Sequence, residues 1–231
     1  MAGGKASARL TLRAYGGLVF LLAILGVVLF VSAGTLDYWQ AWLFLLAFGV
    51  PVLFITVYFL RKDPGLIERR VDAGATAETR WTQKVIQSIA TVAFLALVLV
   101  PGRDRRFGWS NVDPVIVVLA NVLVVVGLGV VFFVFRENSY TSAIIAVGEG
   151  QKVVSTGPYR FVRHPMYAGA LLMIFAMPLA LGSLVGEVFA VLMLATIVWR
   201  LLDEERYLDD ELAGYRDYRQ KTRYRLVPLI W

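Results

Sequence analysis

Residues 157–169 read GPYRFVRHPMYAG, and this polar stretch divides a chain that otherwise consists mostly of apolar runs. It holds two arginines, two tyrosines, two prolines and the only histidine of the protein. Four long apolar runs precede it and two shorter ones follow. Because charged groups are costly inside hydrocarbon, a stretch of this kind between apolar runs indicates a segment at the membrane surface.

The composition points to the same class of protein. Of the 231 residues, 58% are hydrophobic and 17% are charged, whereas a soluble domain is about half apolar and a quarter charged. The excess of apolar residues is concentrated in long runs. The sequence therefore predicts a polytopic integral membrane protein.

Several classes of site are excluded by the residue counts. The chain has no cysteine and one histidine, which excludes disulfides, thiolate nucleophiles and zinc sites built from several histidines. We expect no metal site. The net charge of +6 does not indicate nucleic-acid binding, because the basic residues flank the apolar runs and orient them in the bilayer.

The runs define an all-α architecture without a Rossmann domain and with about five to six membrane helices. Residues 1–135 are expected to form four spans: Tyr15–Gly34, Tyr38–Leu60, Val85–Val100 and Val115–Phe135. Residues 136–231 are expected to form a catalytic, cofactor-binding region. Its parts are a helical hairpin over 167–199 and an amphipathic tail helix over 203–224, whose stripe of Leu208, Leu212 and Tyr215 can lie along the membrane surface.

The orientation follows from the basic residues. All but three of the 23 lysines and arginines lie in segments that six passes place on one side, which the positive-inside rule makes cytoplasmic. The exceptions are Arg103, Arg105 and Arg106, which fall in a predicted outer loop. We expect a multi-pass protein of the cell (inner) membrane with both termini in the cytoplasm.

Three polar clusters adjoin the cytoplasmic ends of the runs. They are Arg136-Glu137-Asn138, the 157–169 stretch, and Arg200 with Glu204 and Glu205. Their common level allows a shared site. Each also has a plainer explanation: arginines after a span often reach for headgroups, the two glutamates can be solvated, and a single histidine can satisfy a backbone carbonyl.

The combination of these residues resembles the isoprenylcysteine carboxyl methyltransferase family, which is related to the membrane phospholipid N-methyltransferases. The resemblance covers residues 136–228, about two-fifths of the chain. The matching positions are Gly157, Pro158, Tyr159, Arg163, His164, Pro165, Tyr167, Gly169, Glu204, Glu205, Gly214, Tyr215 and Tyr218.

The resemblance implies an enzyme that binds S-adenosylmethionine, in agreement with the absence of a G-x-G-x-x-G stretch in a βαβ unit. The implied cofactor-binding residues are Gly157, Pro158, Tyr159, Arg163, His164, Pro165, Tyr167, Gly169, Glu204 and Glu205. The implied catalytic residues are Arg200, Glu205, Arg136 and Asn138, among which Arg200 occupies the family's substrate-facing arginine position.

The acceptor is expected to be lipophilic, because the polar clusters adjoin the bilayer. Our first choice is a carboxylate of isoprenylcysteine type, which is already ionised and needs only positioning by arginine. A phospholipid amine or a small thiol is the alternative and would need a base. A transporter or lipid-binding protein without chemistry is the alternative of another class. The sequence carries no signature of an oligomeric state.

Overall fold

The computed structural model describes residues 6–71, 80–141 and 150–231. Within these ranges the chain is helical and contains no strand, which confirms the all-α class without a Rossmann domain. A 3-10 turn, Gly157–Arg160, precedes the sixth helix. In chain order the helices are α1 (Ala8–Ala33), α2 (Trp39–Lys62), α3 (Pro64–Val71), α4 (Trp81–Phe107), α5 (Pro114–Glu137), α6 (Pro165–Ala180), α7 (Glu187–Glu211) and α8 (Tyr215–Lys221).

Four of the described helices, α1, α2, α4 and α5, are long and apolar enough to cross a membrane. The shortest of them have 24 residues, about 36 Å at 1.5 Å per residue, which exceeds a hydrocarbon core of about 30 Å. They coincide with the four predicted runs, so the polytopic membrane class is confirmed. α6 is a shorter apolar helix and forms the predicted hairpin with α7.

The structure corrects the expected outer loop around Arg103, Arg105 and Arg106. These residues lie in the last turns of α4, which extends to Phe107 instead of ending at Val100. The reason is Asp104, which is buried and accepts hydrogen bonds from the amide and the hydroxyl of Ser110, at 2.7 and 2.6 Å.

The same carboxylate fastens the hairpin turn to α4. The hydroxyl of Ser183, between α6 and α7, donates to Asp104 at 2.5 Å. In turn, the backbone amide of Gly186 donates to the Ser183 hydroxyl at 3.1 Å. These polar contacts lie at the end of α6 opposite to His164 and hold the hairpin in place from that end.

The structure also corrects the tail helix predicted over 203–224. Helix α7 continues through the charged stretch as far as Glu211, and only the seven residues of α8 follow it. Residues 200–211 include neither glycine nor proline and consist mostly of good helix formers, so the helix has no local reason to stop. The break comes at Gly214, whose φ of +83° is left-handed and favours glycine.

Helices α5 and α6 approach each other closely through two glycines. A Cβ atom on Gly127 would lie 2.8 Å from the carbonyl oxygen of Gly169, and one on Gly169 would lie 3.0 Å from that of Gly127. Small residues of this kind allow close contact between membrane helices. Gly169, which we expected at the cofactor, therefore lies in a helix interface, and this interface fixes α6 beside α5.

Candidate active site

The 157–169 stretch forms the 3-10 turn and the entry to α6. Gly157 has a φ of +54°, and a Cβ atom there would lie 2.8 Å from the carboxyl group of Glu137 at the end of α5. Thr156 donates its hydroxyl hydrogen bond to the same carboxylate. Pro165 starts α6, a position at which proline sacrifices no helical hydrogen bond. The glycine is thus required by the contact with α5.

Glu205 of α7 lies at the centre of a buried cluster of basic groups. Its Oε1 accepts from Nε of Arg163 at 2.6 Å and lies 3.2 Å from Nε2 of His164. Its Oε2 accepts from Nε of Arg225 at 2.9 Å. The histidine and the glutamate that the sequence assigned to one site therefore meet, and Arg225 is a third basic partner that the sequence analysis did not identify.

The ionisation of Glu205 follows from this cluster. Burial alone would raise the pKa of its carboxyl group, but hydrogen bonds from His164, Arg163 and Arg225 outweigh it and lower the pKa to about 2. The group is therefore an ionised anchor for its neighbours at neutral pH. A carboxylate with so low a pKa is a weak general base.

The segment after α8 completes the cluster through backbone groups. The amides of Arg163 and His164 donate to the carbonyls of Tyr224 and Arg225, each at 2.9 Å. The guanidinium of Arg163 also donates to two carbonyls, those of Thr222 at 2.9 Å and Arg223 at 2.8 Å. No spacing in the sequence indicated these contacts, because they depend on where the chain returns after α8.

A cavity lies between the 157–169 stretch, the end of α5 and helices α7 and α8. Its interior has a volume of about 120 Å³, and about 830 Å³ when the open mouth is included. Its walls combine aromatic and aliphatic side chains with several polar and charged ones. The lining residues are Asn138, Tyr140, Thr141, Gln151, Lys152, Val153, Val154, Tyr159, Arg163, His164, Pro165, Met166, Tyr167, Glu204, Leu208, Leu212, Tyr215 and Tyr218.

Tyr167 connects Glu204 and Arg200 through hydrogen bonds along one wall of the cavity. Its hydroxyl donates to Oε2 of Glu204 at 2.5 Å and accepts from Nε of Arg200 at 3.1 Å. Its ring stacks on His164 with the centroids 5.7 Å apart. Arg200 lies behind this wall, in contact with the tyrosine that faces the cavity.

Tyr215 and Tyr218 of α8 close the opposite side. The hydroxyl of Tyr218 donates to the carbonyl of Tyr159 at 2.7 Å. The hydroxyl of Tyr215 is buried and has no hydrogen-bond partner among the residues that the structure describes. Burial, followed by the charges of Glu205 and Glu204, raises the pKa of Tyr215. A buried hydroxyl at a cavity wall without a partner is a candidate contact for a bound molecule.

The apolar stripe predicted for the membrane surface has a different use. Leu212, Tyr215 and Tyr218 form a small buried cluster against Leu208, Tyr159 and Val153. The stripe therefore packs on the loop that lines the cavity. The sequence showed its amphipathic spacing but not what covers it.

The predicted site residues divide into two groups. Those that line the cavity are Asn138, Tyr159, Arg163, His164, Pro165, Tyr167 and Glu204. Those that do not line it are Gly157, Pro158, Gly169, Arg136, Arg200 and Glu205. Arg136 is exposed and lies over the Phe133 ring at 5.1 Å, as expected for an arginine that reaches for the interface.

Helix α3 also contributes to this region. Nη1 of Arg70 lies 3.7 Å from Sδ of Met166, and its guanidinium stacks 4.7 Å from the centre of the Phe135 ring. Burial lowers the pKa of Arg70. The described residues do not include residues 72–79, which follow α3. They also do not include residues 142–149, between α5 and the 3-10 turn.

Two comparisons with known proteins found similarities. The chain is 27% identical over 105 residues to a Delta(14)-sterol reductase of Mus musculus, and the aligned part covers 42% of this chain but 25% of that protein. The chain thus spans about a quarter of the length of this relative. Residues 115–213, which include α5, the 157–169 stretch, α6 and α7, match the model of the phospholipid methyltransferase family. Over residues 115–213, this membrane protein is therefore similar to the phospholipid methyltransferase family.

Proposed function

We propose that the protein transfers a methyl group from S-adenosylmethionine to a lipophilic acceptor at the membrane surface. The family of residues 115–213 supports methyl transfer. The observation that supports this cofactor is the cavity, which is bounded by the 157–169 stretch and the α7–α8 segment. These are the two regions that the resemblance assigns to cofactor binding.

The residues of the cavity fit this cofactor. S-adenosylmethionine carries a purine, a ribose diol, a methionine head and a positive sulfonium. The walls offer the flat rings of Tyr159 and Tyr167 and the carboxylate of Glu204. They also offer the buried hydroxyl of Tyr215, which has no hydrogen-bond partner within the described part of the chain. Aromatic faces and a carboxylate attract a cation, and the hydroxyl supplies a hydrogen bond to a polar group. When bound, the cofactor supplies an activated methyl group.

In this proposal, the protein's own residues hold the cofactor and align it with the acceptor. Arg163, His164 and Glu205 tie α6, α7 and the segment after α8 into one rigid wall. A preformed wall reduces the cost of orienting the reacting groups. This role requires no covalent nucleophile, in keeping with a chain that has no cysteine.

The acceptor that fits best is a carboxylate, first of isoprenylcysteine type. Such a group is already ionised and needs no base, whereas an amine or a thiol must lose a proton. The low pKa of Glu205, about 2, makes this residue a poor base for an amine or a thiol. Arg200, in contact with Tyr167, is the proposed partner of the acceptor. We expect the cavity to open towards the cytoplasm, the side to which the positive-inside rule assigns the polar clusters.

The similarity to a sterol reductase favours a second candidate, the reduction of a lipid. Such a reaction needs a hydride donor, of which a reduced nicotinamide is one. The same cavity would then bind a nucleotide in place of S-adenosylmethionine. We rank it second because the family match over residues 115–213 is to methyltransferases.

Calorimetric titration of the detergent-purified protein with S-adenosylhomocysteine tests the proposal. We expect binding that is weakened at least tenfold in His164→Ala and Glu204→Gln. Binding of a reduced nicotinamide without binding of S-adenosylhomocysteine would instead support the reductase. Binding of neither would favour a membrane protein without chemistry.

The acceptor is tested by offering labelled methyl groups to membrane extract. A methyl ester releases its label as methanol in alkali, and a methylated amine does not. We expect a base-labile product. A base-stable lipid product would replace the carboxylate with a phospholipid amine and leave the methyltransferase proposal intact.

A further inference from the structure

Residues 226–231, which read LVPLIW, form a compact turn that exposes apolar side chains. Leu226 is buried, and its amide donates to the carbonyl of Trp231 at 2.9 Å. The amide of Trp231 donates in turn to the carbonyl of Val227 at 3.1 Å. Between these hydrogen-bonded positions, Leu229 and Ile230 are 84% and 80% exposed. They are among the most exposed large apolar side chains in the described part of the chain.

Leu229 has a backbone conformation that leucine rarely adopts. Its φ is +68°, and within residues 6–71, 80–141 and 150–231 it is the only residue other than glycine with a positive φ. This region is unfavourable for any residue that has a Cβ atom. Glycine would close the same turn without strain, so the turn itself does not require a leucine. Strained positions of this kind are typical of binding sites.

Backbone hydrogen bonds tie the turn to the start of α6. The amide of His164 donates to the carbonyl of Arg225 at 2.9 Å, and the next residue, Pro165, begins α6. Five residues of chain span at most about 18 Å. The backbone of Ile230 therefore lies within about 18 Å of Arg225, and the exposed apolar side chains are close to the level at which α6 begins.

This level lies inside the end of a membrane span. Helices α5 and α6 run antiparallel, because Gly127 contacts Gly169 and the amide of Asn121 donates to the carbonyl of Ala180 at 3.4 Å. From the glycine contact, α5 continues for ten residues to its end, whereas α6 extends only four residues back to its start. At 1.5 Å per residue these lengths are about 15 and 6 Å. Helix α6 thus begins about 9 Å short of the end of α5, near the boundary between headgroups and acyl chains.

The chain around the turn is basic. Residues 214–231 include five lysines and arginines and one aspartate, and Lys221 and Arg223 are exposed. The guanidinium of Arg225 lies 5.0 Å from the centre of the Trp231 ring. Basic groups beside an apolar patch are typical of segments that bind anionic lipid surfaces, and tryptophan favours the headgroup level. An anionic lipid surface is therefore the partner that fits this turn.

We propose that residues 226–231 insert Leu229 and Ile230 into the membrane surface beside α6, with the basic residues of 214–231 at anionic headgroups. This inference goes beyond the proposed function and does not depend on it. The carbonyls of residues 222–225 hold Arg163 and His164. The inserted turn therefore fastens to the bilayer the same segment that supports the cavity wall.

A single fluorophore tests the position of the turn, since the chain has no cysteine of its own. Leu229→Cys and Ile230→Cys are each labelled with an environment-sensitive dye and placed, as the full chain, in lipid nanodiscs. Gln220→Cys, at an exposed polar position of α8, is the matched control. One quencher is a lipid with a nitroxide on its upper acyl chain, and the other is iodide in the water. Discs of phosphatidylcholine are compared with discs that also contain phosphatidylglycerol.

We expect the nitroxide lipid to quench both turn labels at least about twofold more than the control label, and iodide to quench them at least about twofold less. Quenching by the nitroxide lipid should be stronger in the discs with phosphatidylglycerol, because the segment is basic.

Three results would overturn the inference. Turn and control labels that respond equally to both quenchers would show that the turn lies in water. Turn labels protected from both quenchers would show that protein covers the patch, either a second copy of the chain or another partner. Nitroxide quenching that is equal in the two kinds of disc would refute the preference for anionic lipid.

Discussion

Nε of Arg163 lies 2.6 Å from Oε1 of Glu205, and both side chains are about 5% exposed or less. The arginine lies just before α6 and the glutamate lies in the last turns of α7. The ion pair therefore joins the start of the hairpin to its end. Arg225 occupies the other carboxylate oxygen at 2.9 Å. One buried negative charge thus holds three separate parts of the chain together beside the cavity.

Replacing Glu205 with glutamine should destabilise the fold. The change leaves the buried guanidinium of Arg163 without a counter-charge, and breaking a buried pair in this way costs about 3–5 kcal/mol. The measurement is the midpoint of thermal unfolding in detergent. Glu211→Gln, an exposed change at the end of the same helix, is the control and should alter stability by less than about 0.5 kcal/mol. Equal midpoints for the two variants would contradict this interpretation.

Acid should destabilise the protein through the same carboxylate. The pKa of Glu205 is about 2 in the folded chain against an ordinary value of 4.5. Because the folded value is the lower one, the stabilisation is complete above pH 4.5 and is lost as the pH falls towards 2. At about 1.4 kcal/mol for each pKa unit, the loss is about 3 kcal/mol.

The thermal midpoint measured from pH 7 to pH 3 checks this dependence. The wild type should fall more steeply below pH 4.5 than Glu205→Gln, which has no group to protonate at this position. Parallel curves for the two proteins would show that other carboxyl groups control the acid response.

Tyr215→Phe should separate binding from stability. The hydroxyl that it removes is buried without a partner among the described residues, so the fold should lose nothing and can gain up to about 1 kcal/mol. If the hydroxyl bonds to the cofactor, affinity for S-adenosylhomocysteine should fall by about three- to tenfold.

Tyr218→Phe provides the matched comparison, since its hydroxyl already donates to the carbonyl of Tyr159. This variant should lose about 1 kcal/mol of stability and retain more of its affinity than Tyr215→Phe. Calorimetry and thermal unfolding on both variants decide the matter. The reverse order of affinities would remove Tyr215 from the proposed cofactor contacts.

Gly157→Ala should cost more stability than Gly150→Ala. Both glycines have a left-handed φ, +54° and +69°, at which any other residue pays about 1–2 kcal/mol. A Cβ atom on Gly157 would also meet the Glu137 carboxyl group at 2.8 Å, whereas one on Gly150 meets none of the described residues within 4 Å. Thermal unfolding of the two variants should show this difference. Equal losses would mean that Glu137 moves aside freely.

The long spans were predictable because hydropathy alone determines them. Each of the four predicted runs lies almost wholly within a helix such as Pro114–Glu137. The ends of helices were less predictable, since they depend on tertiary contacts. Helix α4 continues to Phe107 because of the buried carboxylate of Asp104, and α7 continues to Glu211 because nothing in its charged stretch interrupts it.

The centre of the site was predictable in part. His164 and Glu205 were assigned to one site and lie 3.2 Å apart. The resemblance marked Gly169 by its position in a pattern, but a pattern does not distinguish a glycine that faces a ligand from one that packs against Gly127. Arg225 could not be identified, because its contact with Glu205 depends on the path of the chain after α8.

The backbone contacts of residues 222–225 with Arg163 and His164 have a consequence for biosynthesis. On the ribosome these residues are made some sixty positions after their partners, as the separation of 59 between Arg163 and Thr222 shows. The cluster around Glu205 can therefore close only after residues 222–225 have been synthesised. Chains truncated before residue 222 would leave Arg163 without its carbonyl partners, and we expect membrane proteases to remove them.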